Sequence, residues 1–153
     1  MISFKNYVIA ESLEFDKMGQ RILDDGKKIA DFEIDEMPDV TRDEVISYFV
    51  DDASNMKDPA VRYLRSLKLP KTFMYVWIQF IKVLPQQRGQ GRGSEIINTM
   101  AMQYPPGTLM ALSAEEVSSG KTASSLADLK RFYQQNGFTM VRSQGKTFGF
   151  RVI

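Results

Sequence analysis

The chain has 153 residues, of which 43% are hydrophobic and 25% are charged. This composition is typical of a globular protein, and the length favours one domain spanning residues 1–153. The sequence contains no cysteine and no histidine, which excludes disulfides, thiolate nucleophiles and the commonest metal ligand. Acid–base chemistry would therefore use a carboxylate, a tyrosine, a lysine or water, and we predict no metal site.

Hydropathy and charge restrict the cellular location and the binding partners that we expect for the protein. No apolar run reaches the ~18 residues of a membrane span, and residues 1–15 lack the features of a signal peptide, so we predict a cytoplasmic protein with no membrane partner. Residues 1–60 carry 15 acids against 7 bases, whereas residues 61–153 carry 4 acids against 13 bases. Attraction between the halves or an anionic ligand would each explain this asymmetry. The bases of the second half are dispersed, which disfavours nucleic acid.

The first predicted elements are strands. Residues 4–15 alternate between polar and apolar in their later part and predict a strand. Asp25-Gly26 then separates two extended runs, residues 20–23 and residues 28–35. Because Asp-Gly is a preferred turn dipeptide, these runs are predicted to form a β-hairpin.

Two helices are predicted after the hairpin. Thr41 and Glu44 have the spacing of a capping box ahead of an apolar helical stretch that reaches Val50. Asp58 is predicted to cap a second helix, which has Pro59 at its first position and ends before residues 69–70.

Residues 73–83 give the strongest strand signal in the chain. They are dominated by β-branched and aromatic side chains and predict a central strand covered on both faces, which Pro85 ends. A loop over residues 89–93 follows, with glycine at alternate positions, and a helical apolar pattern over residues 96–104 comes directly after it. This order points several backbone N–H groups and the positive end of a helix at one place, which suits a phosphate or pyrophosphate.

The spacing of the glycines and their neighbours distinguishes between the known families of phosphate-binding loop. The P-loop needs a lysine before its Ser or Thr, and none lies between Gly93 and Ser94. The dinucleotide fingerprint fits Gly89 and Gly91 but has Ser94 at its third position, and residues 83–87 intervene where the fingerprint normally follows its strand at once.

The second half completes an α/β pattern. Residues 108–114 predict a short apolar strand parallel to the central one. A Ser/Gly loop over residues 117–121, a helix from Leu126 and a terminal hairpin around residues 143–146 follow. The order of elements predicts an α/β fold with a single mixed central β-sheet and helices on both faces.

Two segments carry a resemblance to a known family. The run from Arg88 to Gly93 resembles motif A of the GNAT N-acetyltransferase superfamily, R/Q-x-x-G-x-G/A, and Val83 has the family's position five residues before the Arg. Tyr133-Gln134-Gln135-Asn136-Gly137-Phe138 resembles the end of motif B, Y-x-x-x-G-F. The two motifs cover about half of the chain, residues 73–140, and they imply the GNAT fold.

The resemblance implies direct transfer of an acetyl group from acetyl-CoA to an amine. Backbone groups around Ile81, Lys82 and Val83 would hold the pantetheine arm, and an N–H near Val83 would polarise the thioester carbonyl. The remaining implied cofactor-binding residues, whose amides would hold the pyrophosphate, are Arg88, Gly89, Gln90, Gly91, Arg92, Gly93 and Ser94.

The catalytic groups are also implied by the resemblance. Tyr133 corresponds to the general acid that protonates the leaving thiolate, and its alternative role is that of a core aromatic. Glu115 and Glu116 follow the strand on which some members carry a base, and each could act directly or through water, or be a solvated surface carboxylate. Tyr75 and Gln79 are predicted to line the acceptor channel, and the alternative role of Tyr75 is that of a core residue.

Several alternatives stay open at this stage. The acidic stretch over residues 31–52 favours a cationic amine as acceptor, either a protein or a small molecule. A non-catalytic acyl-CoA-binding or protein-interaction module on the same fold is the alternative to an enzyme. A homodimer is compatible with the sequence.

Overall fold

The structure is a computed structural model, and it describes residues 13–89, 91–117 and 126–153. Most of the predicted first strand, Gln90 and most of the Ser/Gly loop lie outside the described residues. The strands are β1 (Leu13–Asp16), β2 (Arg21–Asp24), β3 (Lys27–Val40), β4 (Phe73–Val83), β5 (Leu109–Ser113), β6 (Thr139–Ser143) and β7 (Lys146–Val152). The helices are α1 (Arg42–Ser47), α2 (Pro59–Ser66), α3 (Arg92–Ala101), α4 (Ala114–Val117) and α5 (Leu126–Gln135), with a 3-10 turn at Pro85–Gln87.

The strands form one sheet with the order β1-β2-β3-β4-β5-β7-β6. The strand β4 lies in the middle, as its continuous apolar sequence predicts. It pairs in parallel with β5, and the other neighbouring strands pair antiparallel. The predicted α/β class, the mixed sheet and the parallel pairing of residues 108–114 with the central strand are confirmed.

Helices cover both faces of the sheet. We call the face covered by α3 and α5 the first face, and the face covered by α1 and α2 the second face. Buried residues of the first face include Val76, Ile78, Ile96, Met100 and Tyr133. Those of the second face include Val45, Val61, Tyr75, Leu109 and Phe150. Both faces of β4 are therefore buried in apolar clusters.

Local sequence signals set the turns and caps. Asp25 and Gly26 have φ angles of 52° and 80°, the left-handed pair that a type I′ hairpin turn requires. Thr41 and Glu44 form the predicted capping box at the start of α1. The Asp58 side chain accepts hydrogen bonds from the first amides of α2, as predicted.

The strand β3 is longer than predicted, since it runs to Val40 instead of residue 35. Pro38 is tolerated there because the pairing with β4 is irregular between Met37 and Val40. Asp39 has a φ of 57° at this irregularity. Proline therefore removes no regular ladder hydrogen bond.

Two further predicted boundaries are wrong. The helix α1 ends at Ser47 instead of reaching Val50, although Val50 is still buried. The predicted strand over residues 108–114 ends at Ser113, and the helix α4 occupies Ala114–Val117, ahead of the predicted loop. Alanine and glutamate are strong helix formers, which explains the extra turn.

Candidate functional site

The two middle strands of the sheet separate at their C-terminal ends. The pairing of β4 with β5 ends at Ile78 opposite Leu112. On its other side β4 stays paired with β3 as far as Val83, which lies opposite Ala30. Over residues 79–83 one backbone edge of β4 therefore has no partner strand among the described residues. We call this interruption of the sheet the gap, and α4, which continues β5, lies next to β4 there. Such an edge offers N–H and C=O groups to an extended ligand.

A β-bulge lies where the separation begins. Ile78 and Phe80 of β4 lie opposite the neighbouring residues Ile34 and Glu33 of β3, which leaves Gln79 without an opposite residue. The extra residue shifts the alternation of β4, so Ile81 packs into the first-face cluster together with Ile78. Because a bulge bends its strand, this one helps to turn β4 away from β5.

The glycine loop connects this edge to α3. Gly89 and Gly91 have φ angles of 76° and 72°, and a Cβ added at either would meet no atom of the described chain within 4 Å. Gly91 is the N-cap of α3 and provides no side-chain acceptor for the first turn. Arg88 donates from Nε to the Val83 carbonyl at 3.0 Å. The loop therefore presents open space in front of backbone amides at a helix N-terminus, which suits an anion.

Gly93 has a different role from the two glycines before it. A Cβ at Gly93 would lie 2.9 Å from Cζ of Phe132. The absence of a side chain therefore lets α5 approach the first turn of α3. Gly93 therefore has a packing role that the sequence did not indicate. The close approach of its main chain to phosphate stays a prediction.

The guanidinium of Arg92 is held by two carboxylates. It lies 2.6 Å from Oδ2 of Asp24 and 3.0 Å from Oε2 of Glu95. Partial burial opposes its charged form, but the two carboxylates outweigh this effect and raise the pKa of Arg92. The side chain therefore ties α3 to β2. In this arrangement the charge of Arg92 is already paired with two carboxylates.

Tyr133 lies in α5 and is 4% exposed. Its ring contacts Phe132 and Phe138 edge-on, with ring centroids 5.2 and 5.7 Å away. Burial raises the pKa of the Tyr133 hydroxyl, so the group stays protonated at neutral pH. The side chain is therefore a core aromatic whose hydroxyl carries its proton at neutral pH and is a weaker acid than that of a free tyrosine.

The carboxylate of Glu115 is engaged in hydrogen bonds. Its oxygens accept from the amide of Thr147 at 3.0 and 3.1 Å and from Oγ of Ser113 at 3.2 Å. These bonds tie α4 to the start of β7. The side chain of Glu116 lies outside the part of the chain that the structure describes.

The second face carries an aromatic pocket of about 410 Å³. It lies over β4 and β7, below the end of α1 and beside the β6–β7 hairpin. Its lining residues are Met37, Tyr48, Phe49, Tyr75, Trp77, Ser143, Gln144, Lys146 and Phe148. We refer to this cavity as the aromatic pocket. Trp77 is one residue short of the position where β4 and β5 separate, so the pocket and the gap adjoin.

Asp58 holds the hairpin that forms one wall of the aromatic pocket. Ser143 donates from Oγ to both carboxylate oxygens of Asp58, at 2.9 and 2.8 Å, and Ala60 donates its amide at 2.8 Å. Burial opposes ionisation, but the hydrogen bonds outweigh it and lower the pKa of Asp58. One carboxylate therefore caps α2 and fixes the hairpin.

The predicted acceptor residues lie partly at this pocket. Tyr75 lines it, and Gln79 donates from Nε2 to Oδ2 of Asp35 at 2.6 Å at the bulge. Sequence reasoning missed Tyr48, Phe49 and Phe148. Apolar residues at alternate positions of β4 and β7 are the signal that could have found the shared face.

No protein-family model and no curated protein sequence matches the chain. Within residues 13–89, 91–117 and 126–153 no group of three or more potential metal ligands is close enough to hold an ion. In the same part of the chain no helix is long and apolar enough to cross a membrane.

Proposed function

We propose that the protein is an acetyl-CoA-dependent N-acetyltransferase with the GNAT fold. The observation that carries the proposal is the continuity between the open edge of β4 at residues 79–83, the glycine loop and the first turn of α3. An extended thioester with a pyrophosphate needs these two kinds of backbone group in this order. The motif resemblance at both segments supports the same assignment.

The fit to acetyl-CoA rests on the loop geometry. The open space in front of Gly89 and Gly91 is where a Cβ would otherwise stand, so phosphate oxygens can approach the main chain. The unpaired edge after the bulge offers N–H and C=O groups to the amide-containing pantetheine arm, apart from the Val83 carbonyl, which accepts from Arg88. Acetyl-CoA supplies the activated acetyl group when bound.

The residues of the chain have distinct tasks in the reaction. The acceptor nitrogen forms a bond to the acetyl carbon, and the bond from that carbon to sulfur breaks. Tyr133, which is protonated at neutral pH, donates its proton to the departing thiolate and regains a proton from solvent before the next turnover. The proton lost by the amine passes to water, with Glu115 as the described carboxylate assigned to this relay. Because Glu115 already accepts three hydrogen bonds, a relay through water is preferred over direct contact.

A non-catalytic acyl-CoA-binding module is the second candidate. The engagement of Glu115 with Thr147 and Ser113 favours it, since no free base is assigned. The two candidates share the binding step and differ in turnover. An assay of acetyl transfer from labelled acetyl-CoA to mixed amines separates them, because a binding module would transfer no label.

A matched pair of variants tests the binding of acetyl-CoA. Gly91→Glu places a carboxylate at the anion site, and Gly26→Glu makes the same change in the β2–β3 turn, where φ is 80° and the added Cβ also meets open space. Acetyl-CoA at ~100 times its dissociation constant should add about 2.7 kcal/mol of stability, which raises the melting temperature by roughly 5–10 °C. We expect the shift in the unmutated protein and in Gly26→Glu and its loss in Gly91→Glu. No shift in the unmutated protein would refute the proposed function.

A further inference from the structure

We propose that the aromatic pocket binds the side group of the acceptor, and that the acceptor is a primary amine carrying an aromatic ring. The assignment to an acceptor rests on the proposed function. The chemical class of the bound group is inferred from the pocket alone. The proposed ligand of the pocket and the proposed function can therefore be tested separately.

The pocket walls are aromatic rings held by one another. Phe49 contacts Trp77 and Phe148 edge-on, with centroids 5.9 and 5.0 Å apart. Tyr48 stacks on Tyr75 at 5.8 Å on the other side. Rings fixed in this way prefer a further ring in an offset or edge-on position. A volume of about 410 Å³ lies in the range of small-molecule sites.

An exposed carboxylate, that of Asp35, lies beside the lining residue Trp77 without lining the pocket itself. Asp35 is the cross-strand partner of Trp77, so their side chains share the second face. Its Oδ2 accepts from Gln79 at the bulge. Burial, then Tyr48 and the Asp35 carboxylate, raise the pKa of the Tyr75 hydroxyl, which indicates that the field of Asp35 reaches the pocket. A ring in the pocket would therefore leave an attached ammonium beside Asp35 and next to the gap.

The aromatic lining also disfavours a polycation. A polyamine would place a second ammonium among the rings of Phe49, Trp77 and Phe148, and burial of a charge without a partner costs free energy. A single ammonium near Asp35 with an uncharged ring in the pocket avoids this cost.

The test uses the sole tryptophan of the chain, Trp77, as the reporter. The probe ligands are phenethylamine, n-pentylamine and spermidine, titrated against the protein without acetyl-CoA. We expect a saturable change in Trp77 fluorescence with phenethylamine, at least ~10-fold weaker binding of n-pentylamine, and no saturable change with spermidine. Equal binding of pentylamine, or tighter binding of spermidine, would overturn the proposal.

A pair of variants localises the binding. Tyr48→Ala removes a ring that is 50% exposed, and Met56→Ala removes a side chain that is 51% exposed and does not line the pocket. Tyr48→Ala should weaken phenethylamine binding by up to ~10-fold, the value of one aromatic pair, whereas Met56→Ala should not change it. Equal effects would overturn the assignment to the aromatic pocket.

The two proposals fail in different ways. Gly91→Glu should still bind phenethylamine, because the glycine loop does not line the aromatic pocket. Binding of phenethylamine without a shift in melting temperature on addition of acetyl-CoA would support the proposed ligand of the aromatic pocket and refute the proposed acetyltransferase function. An acetyl-CoA shift without phenethylamine binding would refute the aromatic acceptor and leave the proposed function intact.

Discussion

The two faces of the sheet near the C-terminal end of β4 offer opposite kinds of binding surface. On the first face the surface is the main chain, with the open edge of residues 79–83, two glycines at positive φ and a helix without a side-chain cap. On the second face it is a set of side chains, chiefly the aromatic rings around Trp77. The bulge at Gln79 lies between the two surfaces. The glycine loop and the start of α3 are encoded locally, whereas the open edge of β4 and the aromatic pocket depend on pairing and packing between distant segments.

The largest expected effect is at Tyr133, the proposed proton donor, which lies in the first-face cluster. Tyr133→Phe removes only the hydroxyl and keeps the ring contacts with Phe132 and Phe138. We expect turnover to fall by ~100-fold with little change in acetyl-CoA affinity, as for a group that acts in the transition state. The measurement is steady-state kinetics on an established acceptor together with acetyl-CoA titration. Unchanged turnover would reduce Tyr133 to a core aromatic.

The next effect concerns the wall of the second face. Asp58→Asn weakens the helix cap and the bonds from Ser143, and the expected loss is about 1–2 kcal/mol of unfolding free energy. Because the folded pKa of Asp58 is lowered, its contribution is complete above the ordinary pKa of aspartate and is lost as pH falls through the folded value, below about pH 4.

Denaturant unfolding at several pH values measures this contribution. The free-energy difference between the unmutated protein and Asp58→Asn should be constant near neutral pH and shrink in acid. A difference that grows on acidification would contradict the lowered pKa. Phenethylamine binding should also weaken in the variant, because Ser143 and Gln144 line the aromatic pocket.

A smaller effect, on the free energy of unfolding, distinguishes Gly93 from the other glycines of the loop. Gly93→Ala gains ~0.5–1 kcal/mol of helix propensity but forces Phe132 to move, so we expect a net loss of about 1 kcal/mol. Acetyl-CoA affinity should change by less than ~3-fold. Adding Phe132→Leu should relieve the loss, and thermal unfolding of the single and double variants measures it. A loss that persists in the double variant would contradict the packing role.

The smallest expected effect is on the Michaelis constant of the acceptor, and it distinguishes two neighbouring acidic residues. Asp35 lies opposite Trp77 and Glu36 opposite Val76, so their side chains point to the second and the first face. Glu36 also forms an ion pair with Lys17. Asp35→Asn should raise the Michaelis constant of an amine acceptor several-fold, less so at high salt, while Glu36→Gln should not. Equal effects in the two variants, measured by initial rates, would remove Asp35 from the acceptor site.

The sequence predicted the features that depend on short-range rules. The Asp25-Gly26 turn, the Thr41 capping box and the central position of residues 73–83 follow from propensity and periodicity, and all three are confirmed. The separation of β4 from β5 could not be predicted, because the bulge at Gln79 is set by pairing with β3.

Long-range contacts explain the remaining differences. The sequence gives no sign that Arg92 meets Asp24 or that Gly93 meets Phe132, since each pair joins separate elements. The aromatic pocket likewise combines Met37, Trp77 and Phe148, which are far apart in the chain. Their shared face became visible only when the register of the strands was known.

The most direct test of the central claim maps both ligands on one sample. Backbone amide chemical shifts are recorded by NMR while acetyl-CoA and then phenethylamine are added to the unmutated protein. The account predicts that acetyl-CoA shifts the amides of residues 79–83 and 91–94, and that phenethylamine shifts those near Tyr48, Trp77 and Phe148, with the two sets meeting at the bulge. Acetyl-CoA shifts confined to the aromatic pocket, or one common set for both ligands, would contradict it.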